Sequence, residues 1–335
     1  MTTAHGNRQV LLRSRSAGIP QASDFEMRTM PVPAPAPGHM LVRNRFVAAE
    51  PAMRGWINDE TSYWPPVAIG DTMRSFAVGE VVVSHADGFA VGDRVTGMFG
   101  WQDYAVVAPD GIDRRLEPDE PDSAALGVLG LNGLTAYFGM LDICRPARGE
   151  TVLVSSAAGA VGSAAAQIAA LHGARVVGIA GSADKRARCI DEFGCAAAID
   201  YRAEDVGEAL GRLCPDGIDA YFDNVSGPIS DAALRHLRPF ARIAVCGTAA
   251  ITDWNPWPEG PRVERHLLVK RATMRGFLAA DFAPRFAEGL EMLRAWVADG
   301  RLRYREQVLA GLDRAPESIA MLYRGDNDGK LVIRV

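Results

Sequence analysis

Cysteine is scarce in this 335-residue chain, and the five that occur lie far apart: Cys144, Cys189, Cys195, Cys214 and Cys246. An odd, scattered set makes no disulfide framework and suits a reducing compartment. No pair of them has metal-ligand spacing, the six histidines are equally scattered, and no HExxH occurs. The sequence therefore offers no zinc site. Positive charge is not in excess either; a formal net charge of −5 leaves no basic surface for nucleic acid. Apolar runs are short and broken by Gly, Arg or Asp, so none is suited to spanning a membrane. The first residues, MTTAHGNRQVLLRSRSAG, lack the apolar core and small-residue cleavage site of a signal peptide. The expectation is a cytoplasmic protein.

What is present is an ordinary globular composition, 48% hydrophobic and 23% charged, in a chain long enough for two domains. Up to residue 125 the apolar stretches are short and separated by Gly, Asp and Pro, as in HMLVRNRFVAAE (39–50) and FAVGEVVVSHADGFAVGDRVTGMFG (76–100). That pattern predicts a partly open antiparallel β domain. MPVPAPAPG (30–38) reads as a stiff surface connector.

From residue 151 strands and helices alternate. TVLVS (151–155), ARVVGIA (174–180), AAAID (196–200), IDAYFDNV (218–225) and ARIAVCG (241–247) are nearly continuous apolar strands, each but the last followed by a helical segment. Such alternation predicts an α/β doubly wound parallel sheet covered on both faces. A long amphipathic helix is expected over 283–304, with Phe286, Leu290, Leu293 and Val297 on one side. GKLVIRV (329–335) is a closing strand, assigned to an edge of the first domain's sheet. The expected domains are 1–125 completed by 302–335, with 126–301 inserted between them.

Between the first strand and first helix of the second domain lies SSAAGAVG, an A-x-G-x-x-G at Ala157, Gly159 and Gly162. Gly159 lets a pyrophosphate approach the backbone, Gly162 lets the helix pack on the strand, and the helix N-terminus offers N–H groups. Alone the pattern is weak, and an ordinary tight turn would look the same. A strand before it, a helix after it and further βα units behind it favour dinucleotide binding.

An NAD site usually ends its second strand in Asp or Glu. Here Gly181 and Ser182 take that place, and Lys185, Arg186 and Arg188 follow. A ribose 2′-phosphate repels a carboxylate and pairs with a lysine. Lys185 could equally be a solvated helix residue, but missing acid and present base together point to NADPH.

LGVLGLNGLTAYFGMLDICRPARGETVLVSSAAGAVGS (126–163), GIDAYFDNVSG (217–227), ARIAVCG (241–247), YRGDNDGKLVIRV (323–335) and EPAMRGWINDETSYWPPVAIGDTM (50–73) resemble the zinc-free medium-chain dehydrogenase/reductase proteins. The nearest branch is that of leukotriene B4 dehydrogenase/prostaglandin reductases, alkenal double-bond reductases and curcumin reductases. The resemblance covers nearly the whole chain. It implies a GroES-like partly open β-barrel domain with an inserted Rossmann domain. Where zinc-dependent relatives carry G-H-E, this chain reads FAVGEVV (76–82), without histidine.

The resemblance also implies roles. Gly159, Ala160, Val161 and Gly162 would cradle the pyrophosphate; Lys185 and Tyr201 would take the 2′-phosphate. Asn224, Cys246 and Gly247 would line the cofactor, the last two through their backbone. The backbone of Phe277, Leu278 and Ala279 would hold the nicotinamide carboxamide, and Asn327 would reach the cofactor from the other domain. The implied activity is NADPH-dependent reduction of the C=C bond of α,β-unsaturated aldehydes and ketones, oxidoreductase chemistry on a CH–CH group, with a small hydrophobic enone or enal as substrate and a homodimer as the assembly. A quinone reductase of the same superfamily, or an NADPH-binding regulatory protein without turnover, are the alternatives.

Two departures bear on the chemistry. Relatives often read D-P-Y-M-R where this chain has EPAMR, so Ala52 replaces a tyrosine. Relatives also carry a tyrosine after the fifth strand where this chain has Trp254. An indole N–H donates a hydrogen bond but cannot release its proton near neutral pH. Trp254 is therefore expected to bind the enolate or wall the pocket. Tyr63, in DETSYWPP, is the remaining tyrosine of a plausible substrate loop, and reads equally well as an exposed neighbour of Trp64.

Overall fold

In the computed structural model, which describes residues 6–59 and 62–335, the chain divides into two compact units. One comprises residues up to Leu126 together with Glu306–Val335; the other is Gly127–Arg305.

The first unit contains β1 (Asn7–Leu12), β2 (Phe25–Met30), β3 (Met40–Ala48), the short helix α1 (Met53–Ile57), β4 (Ala77–Ser84), β5 (Arg94–Gly97), β6 (Tyr104–Val107) and β7 (Ile112–Arg115). The second unit contains α2 (Leu131–Phe138), β8 (Thr151–Val154), α3 (Ala160–Leu171), β9 (Arg175–Ala180), α4 (Ala183–Asp191), β10 (Ala197–Asp200), α5 (Val206–Leu213), β11 (Ile218–Asp223), α6 (Gly227–Arg235), β12 (Leu237–Val245), α7 (Glu264–Lys270), β13 (Thr273–Gly276) and α8 (Phe286–Ala298). The chain then returns to the first unit with β14 (Glu306–Ala310), α9 (Ala315–Arg324) and β15 (Lys330–Arg334).

In the first unit, β14, β15, β3, β4, β5 and β7 lie in that order in a seven-stranded sheet, with β6 also paired to β3. Nine-residue β3 shares its length among three partners, and register shifts after Leu41 and Asn44 bend it. Alternating inward residues such as Val10, Leu12, Met40, Val42 and Val95 build the core around Trp101, which donates from its indole Nε1 to the Ala48 carbonyl at 3.0 Å. The closing strand differs from expectation. Instead of lying at an edge, β15 sits between β14, parallel to it, and β3, antiparallel to it. Four of its five residues are buried, as an inner strand requires.

The second unit is a six-stranded, wholly parallel sheet in the order β10-β9-β8-β11-β12-β13. The chain winds outward one way from β8 and then the other way from β11. The crevice beyond the carboxyl ends of β8 and β11 is thus the point where strand order reverses, the place where such sheets take ligands. All six residues of β11 are buried, its two aspartates, Asp219 and Asp223, included. The helix expected over 283–304 is shorter: α8 covers Phe286–Ala298, and Pro284 falls in a 3-10 segment before it. Its buried face is Gly289, Leu290, Leu293 and Trp296.

Candidate functional site: the carboxyl edge of the parallel sheet

The turn after β8 is tight because three residues without bulk meet there. Ser156 adopts a left-handed backbone (φ 51°) and accepts a hydrogen bond from the Gly159 N–H at 2.9 Å. A Cβ on Gly162 would lie 2.1 Å from the Ser156 carbonyl oxygen, and one on Gly159 2.9 Å from Ser156 Oγ. Gly162 thus permits α3 to press on the turn. Gly159 is the N-cap of α3 and has no side chain to cap it, so the first N–H groups and the positive end of the helix dipole face what lies above the turn. That geometry fits a dinucleotide pyrophosphate.

The alanine in place of the first fingerprint glycine has a compensation. Ala157 is fully buried, and its methyl lies 2.9 Å from where a Cβ of Gly178 would stand on β9. The neighbouring strand supplies the missing volume.

Beyond β9, Ser182 caps α4 by accepting from the Lys185 N–H at 3.2 Å, which places Lys185 in the helix's first turn. A cation there has the wrong sign for the helix dipole. Such a placement suits an anionic ligand. Gly181 is covered by Tyr201: a Cβ on Gly181 would meet the tyrosine ring at 2.8 Å and its hydroxyl at 3.0 Å. The Arg202 guanidinium carbon stands 5.7 Å from the Tyr201 ring centre. Tyr201 and Arg202 therefore stand beside Gly181, the first turn of α4 with Lys185 follows it in the chain, and a carboxylate at position 181 would require Tyr201 to move.

At the crevice, Asn224 bridges the two central strands. Its backbone N–H donates to Ser155 Oγ at 2.8 Å and its side-chain Nδ2 to the Ser155 carbonyl at 2.7 Å. Gly247 approaches so closely that a Cβ there would lie 2.9 Å from the Asn224 carbonyl oxygen. Cys246 and Gly247 donate their N–H groups to the Asp223 carbonyl. Burial, then Asp223 and Cys144, push the Cys246 thiol up to about 12, so it stays protonated at neutral pH and has no nucleophilic character. Ser155 and Asp223 were not singled out from the sequence. An aspartate ending an apolar strand, in YFDN, was the available signal.

Phe277 is buried against Phe222 and Phe282, in space that Gly139 leaves open. The following backbone is held by Asp281, which accepts from the Leu278 N–H at 3.0 Å. Trp254 is half-buried and packs edge-on against the exposed Trp257, ring centres 5.0 Å apart.

The remaining candidates belong to the first unit. Tyr63 is exposed; beside it Trp64 stacks on Trp56, ring centres 5.9 Å apart, with the Arg74 guanidinium over both indoles. Ala52 is the N-cap of α1. Asn327 donates from Nδ2 to the Gly329 carbonyl at 2.7 Å, holding the turn before β15.

Two family profiles match the chain: that of the N-terminal domain of oxidoreductases over residues 8–114, and that of zinc-binding dehydrogenases over 160–295. Over 334 residues the chain is 39% identical to the NADPH-dependent curcumin reductase of Escherichia coli, covering 98% of this chain and 97% of that protein. The chain belongs to the medium-chain dehydrogenase/reductase superfamily, in the curcumin and alkenal reductase branch. A second member of that branch, the NADP(+)-dependent 2-alkenal reductase of Nicotiana tabacum, is 37% identical over 336 residues, 98% of this chain and 97% of that one. Among solved structures, CurA of Vibrio vulnificus in complex with NADPH superposes with a TM-score of 0.93 at 40% identity, over 98% of this chain and 99% of that one. Although one matching profile is named for zinc, no group of three or more His, Cys, Asp or Glu among the described residues could hold a metal ion.

Proposed function

We propose that this medium-chain dehydrogenase/reductase is an NADPH-dependent reductase of the C=C bond in α,β-unsaturated aldehydes and ketones. The observation that carries the reading is the corner formed by Gly181, Lys185 and Tyr201, on a Rossmann turn whose glycines admit a pyrophosphate. Its support from kinship is the 39% identity to a curcumin reductase and 37% to a 2-alkenal reductase.

NADPH, when bound, supplies the hydride. The chain's own residues hold and orient it. The α3 N-terminus takes the pyrophosphate, Lys185 and Tyr201 the ribose phosphate, Asn224 and the Cys246–Gly247 backbone the crevice between the central strands, and the backbone of residues 277–279 the nicotinamide carboxamide. As enolate charge grows on the substrate's carbonyl oxygen, the site must offer it a hydrogen-bond donor. The Trp254 indole N–H and the Tyr63 hydroxyl are the donors proposed for this small, hydrophobic substrate. Of these two, only the tyrosine can also release its proton.

A homodimer joined through β13 belongs to the same proposal. β13 pairs on one side with β12, and Phe240, Leu268 and Val269 nearby are exposed. No helix among the described residues is long and apolar enough to cross a membrane, and we place the protein in the cytoplasm.

The test is NADPH consumption by the purified protein with a panel of enones, enals and quinones, followed by product mass and NMR. The expected product gains two hydrogens at the C=C bond and keeps its carbonyl. An allylic alcohol, or turnover confined to quinones, would overturn the reading.

A further inference from the structure

The carboxyl of Asp223, 1% exposed at the end of β11, accepts five hydrogen bonds, all from neutral groups. Oδ1 takes the Tyr221 hydroxyl at 2.8 Å, Ser155 Oγ at 3.2 Å, the Val225 N–H at 3.0 Å and the Ser226 N–H at 2.9 Å. Oδ2 takes Ser230 Oγ at 2.5 Å. A buried carboxyl is costly unless its acceptor sites are filled, and here the filling groups come from separate segments: the end of β8, β11 itself, the loop after β11 and the first turns of α6.

Those same groups reach onward. Ser155, one donor to Asp223, receives the Asn224 backbone N–H and, at its carbonyl, the Asn224 side chain. Ser226, another donor, has a left-handed backbone (φ 58°), unusual for a residue with a side chain, and its Oγ donates to the Gly247 carbonyl at 3.1 Å. Asp223 thus connects, through Ser155 and Ser226, the loops after β8, β11 and β12 at the point of strand-order reversal.

We propose that Asp223 is a positioning residue for the nucleotide. It acts without touching the reacting atoms, by fixing Ser155, Asn224, Ser226 and Gly247 in one arrangement that the dinucleotide meets preformed. The inference rests on the proposed use of NADPH and goes beyond it in naming what organises the crevice. Removing the carboxyl leaves five donors to find new partners, three of them buried, and loosens the common anchor of the three loops. An asparagine keeps an acceptor oxygen in the same place, and its NH2 can donate to Ser230 Oγ.

The experiment is direct NADPH titration by protein fluorescence, alongside steady-state kinetics with an enone, on wild type, Asp223→Ala and Asp223→Asn. Asp223→Ala is expected to weaken NADPH binding roughly tenfold or more, with kcat at saturating NADPH within about threefold of wild type. Asp223→Asn is expected to restore most of the affinity. A purely structural role would lower thermal stability and the active fraction while leaving the affinity of the folded fraction unchanged; that result overturns the proposal. If Asp223→Ala does not fold, Ser155→Ala, which cuts the link to Asn224 at its middle atom, carries the same expectation. Wild type that binds no NADPH sinks the functional reading and this inference with it. Wild type that binds, with an alanine variant that binds equally well, sinks this inference alone.

Discussion

The Tyr201 ring lies over the Cα of Gly181, so close that a side chain at 181 would have to displace it. In an NAD site this position carries the carboxylate that holds the ribose hydroxyls. In the proposed site the ring therefore obstructs the carboxylate that would favour NADH. Gly181→Asp alone is expected to lower kcat/KM for NADPH at least about tenfold without creating good NADH turnover, because the new carboxylate collides with the ring and repels the phosphate. Adding Tyr201→Ala should make room for the carboxylate and raise kcat/KM for NADH above that of either single variant. Equal NADH kinetics in the single and double variants would show that the ring plays no part.

Lys185 stands in the first turn of α4, where a cation opposes the helix dipole and alanine has the better helix propensity. Lys185→Ala is thus expected to leave thermal stability intact. Loss of one charge-assisted contact, about 1.5–3 kcal/mol, corresponds to roughly 10- to 100-fold in the NADPH constant. The NADH constant should not move, and raising ionic strength should narrow the gap between variant and wild type. Titrations with both nucleotides at two salt concentrations check this.

The parallel sheet was legible because its central strands are mostly apolar and its turn carries glycines at the required spacing. The glycines at 159 and 162 are explained by close approaches that only the fold displays, but the pattern alone pointed to them. The position of β15 was not legible. A chain-terminal strand is as apolar in the middle of a sheet as at a protected edge, and nothing local says which. The role of Asp223 is not legible either, since an aspartate closing a strand reads as the start of a turn. Only its burial and its five donors, drawn from distant segments, reveal what it organises. The Ala157–Gly178 exchange of volume is similar: each residue is unremarked alone, and their contact crosses two strands.

Trp254, placed by the family resemblance where a tyrosine is expected, lies on a proline-containing segment and packs against Trp257. If it walls the substrate pocket, Trp254→Ala should raise the enone KM by about tenfold, within the range for losing a buried aromatic contact, and leave NADPH affinity within about twofold. Trp254→Tyr is the informative partner variant. It restores a group able to give up a proton, and should raise kcat at low pH more than at high pH. Unchanged kinetics with the enone in both variants would remove Trp254 from the substrate site.

Glu50 and Lys330 form an ion pair inside the first unit, with side chains 11% and 4% exposed, and Lys330 Nζ also donates to the Ala49 carbonyl at 3.3 Å. The pair joins the chain leaving β3 to the start of β15, beside the ladders that β15 makes with β14 and β3. Two charges taken out of water gain little over an apolar pair of the same shape, yet either one left alone is costly. Lys330→Met is therefore expected to destabilise the unit by about 3–5 kcal/mol, and Glu50→Leu added to it should recover a large part of that loss. Urea unfolding followed by tryptophan fluorescence reads the effect, since Trp56 and Trp101 are buried in this unit. If the double variant is as unstable as the sum of the two single ones, the charges are not coupled and β15 is held by its strand hydrogen bonds alone.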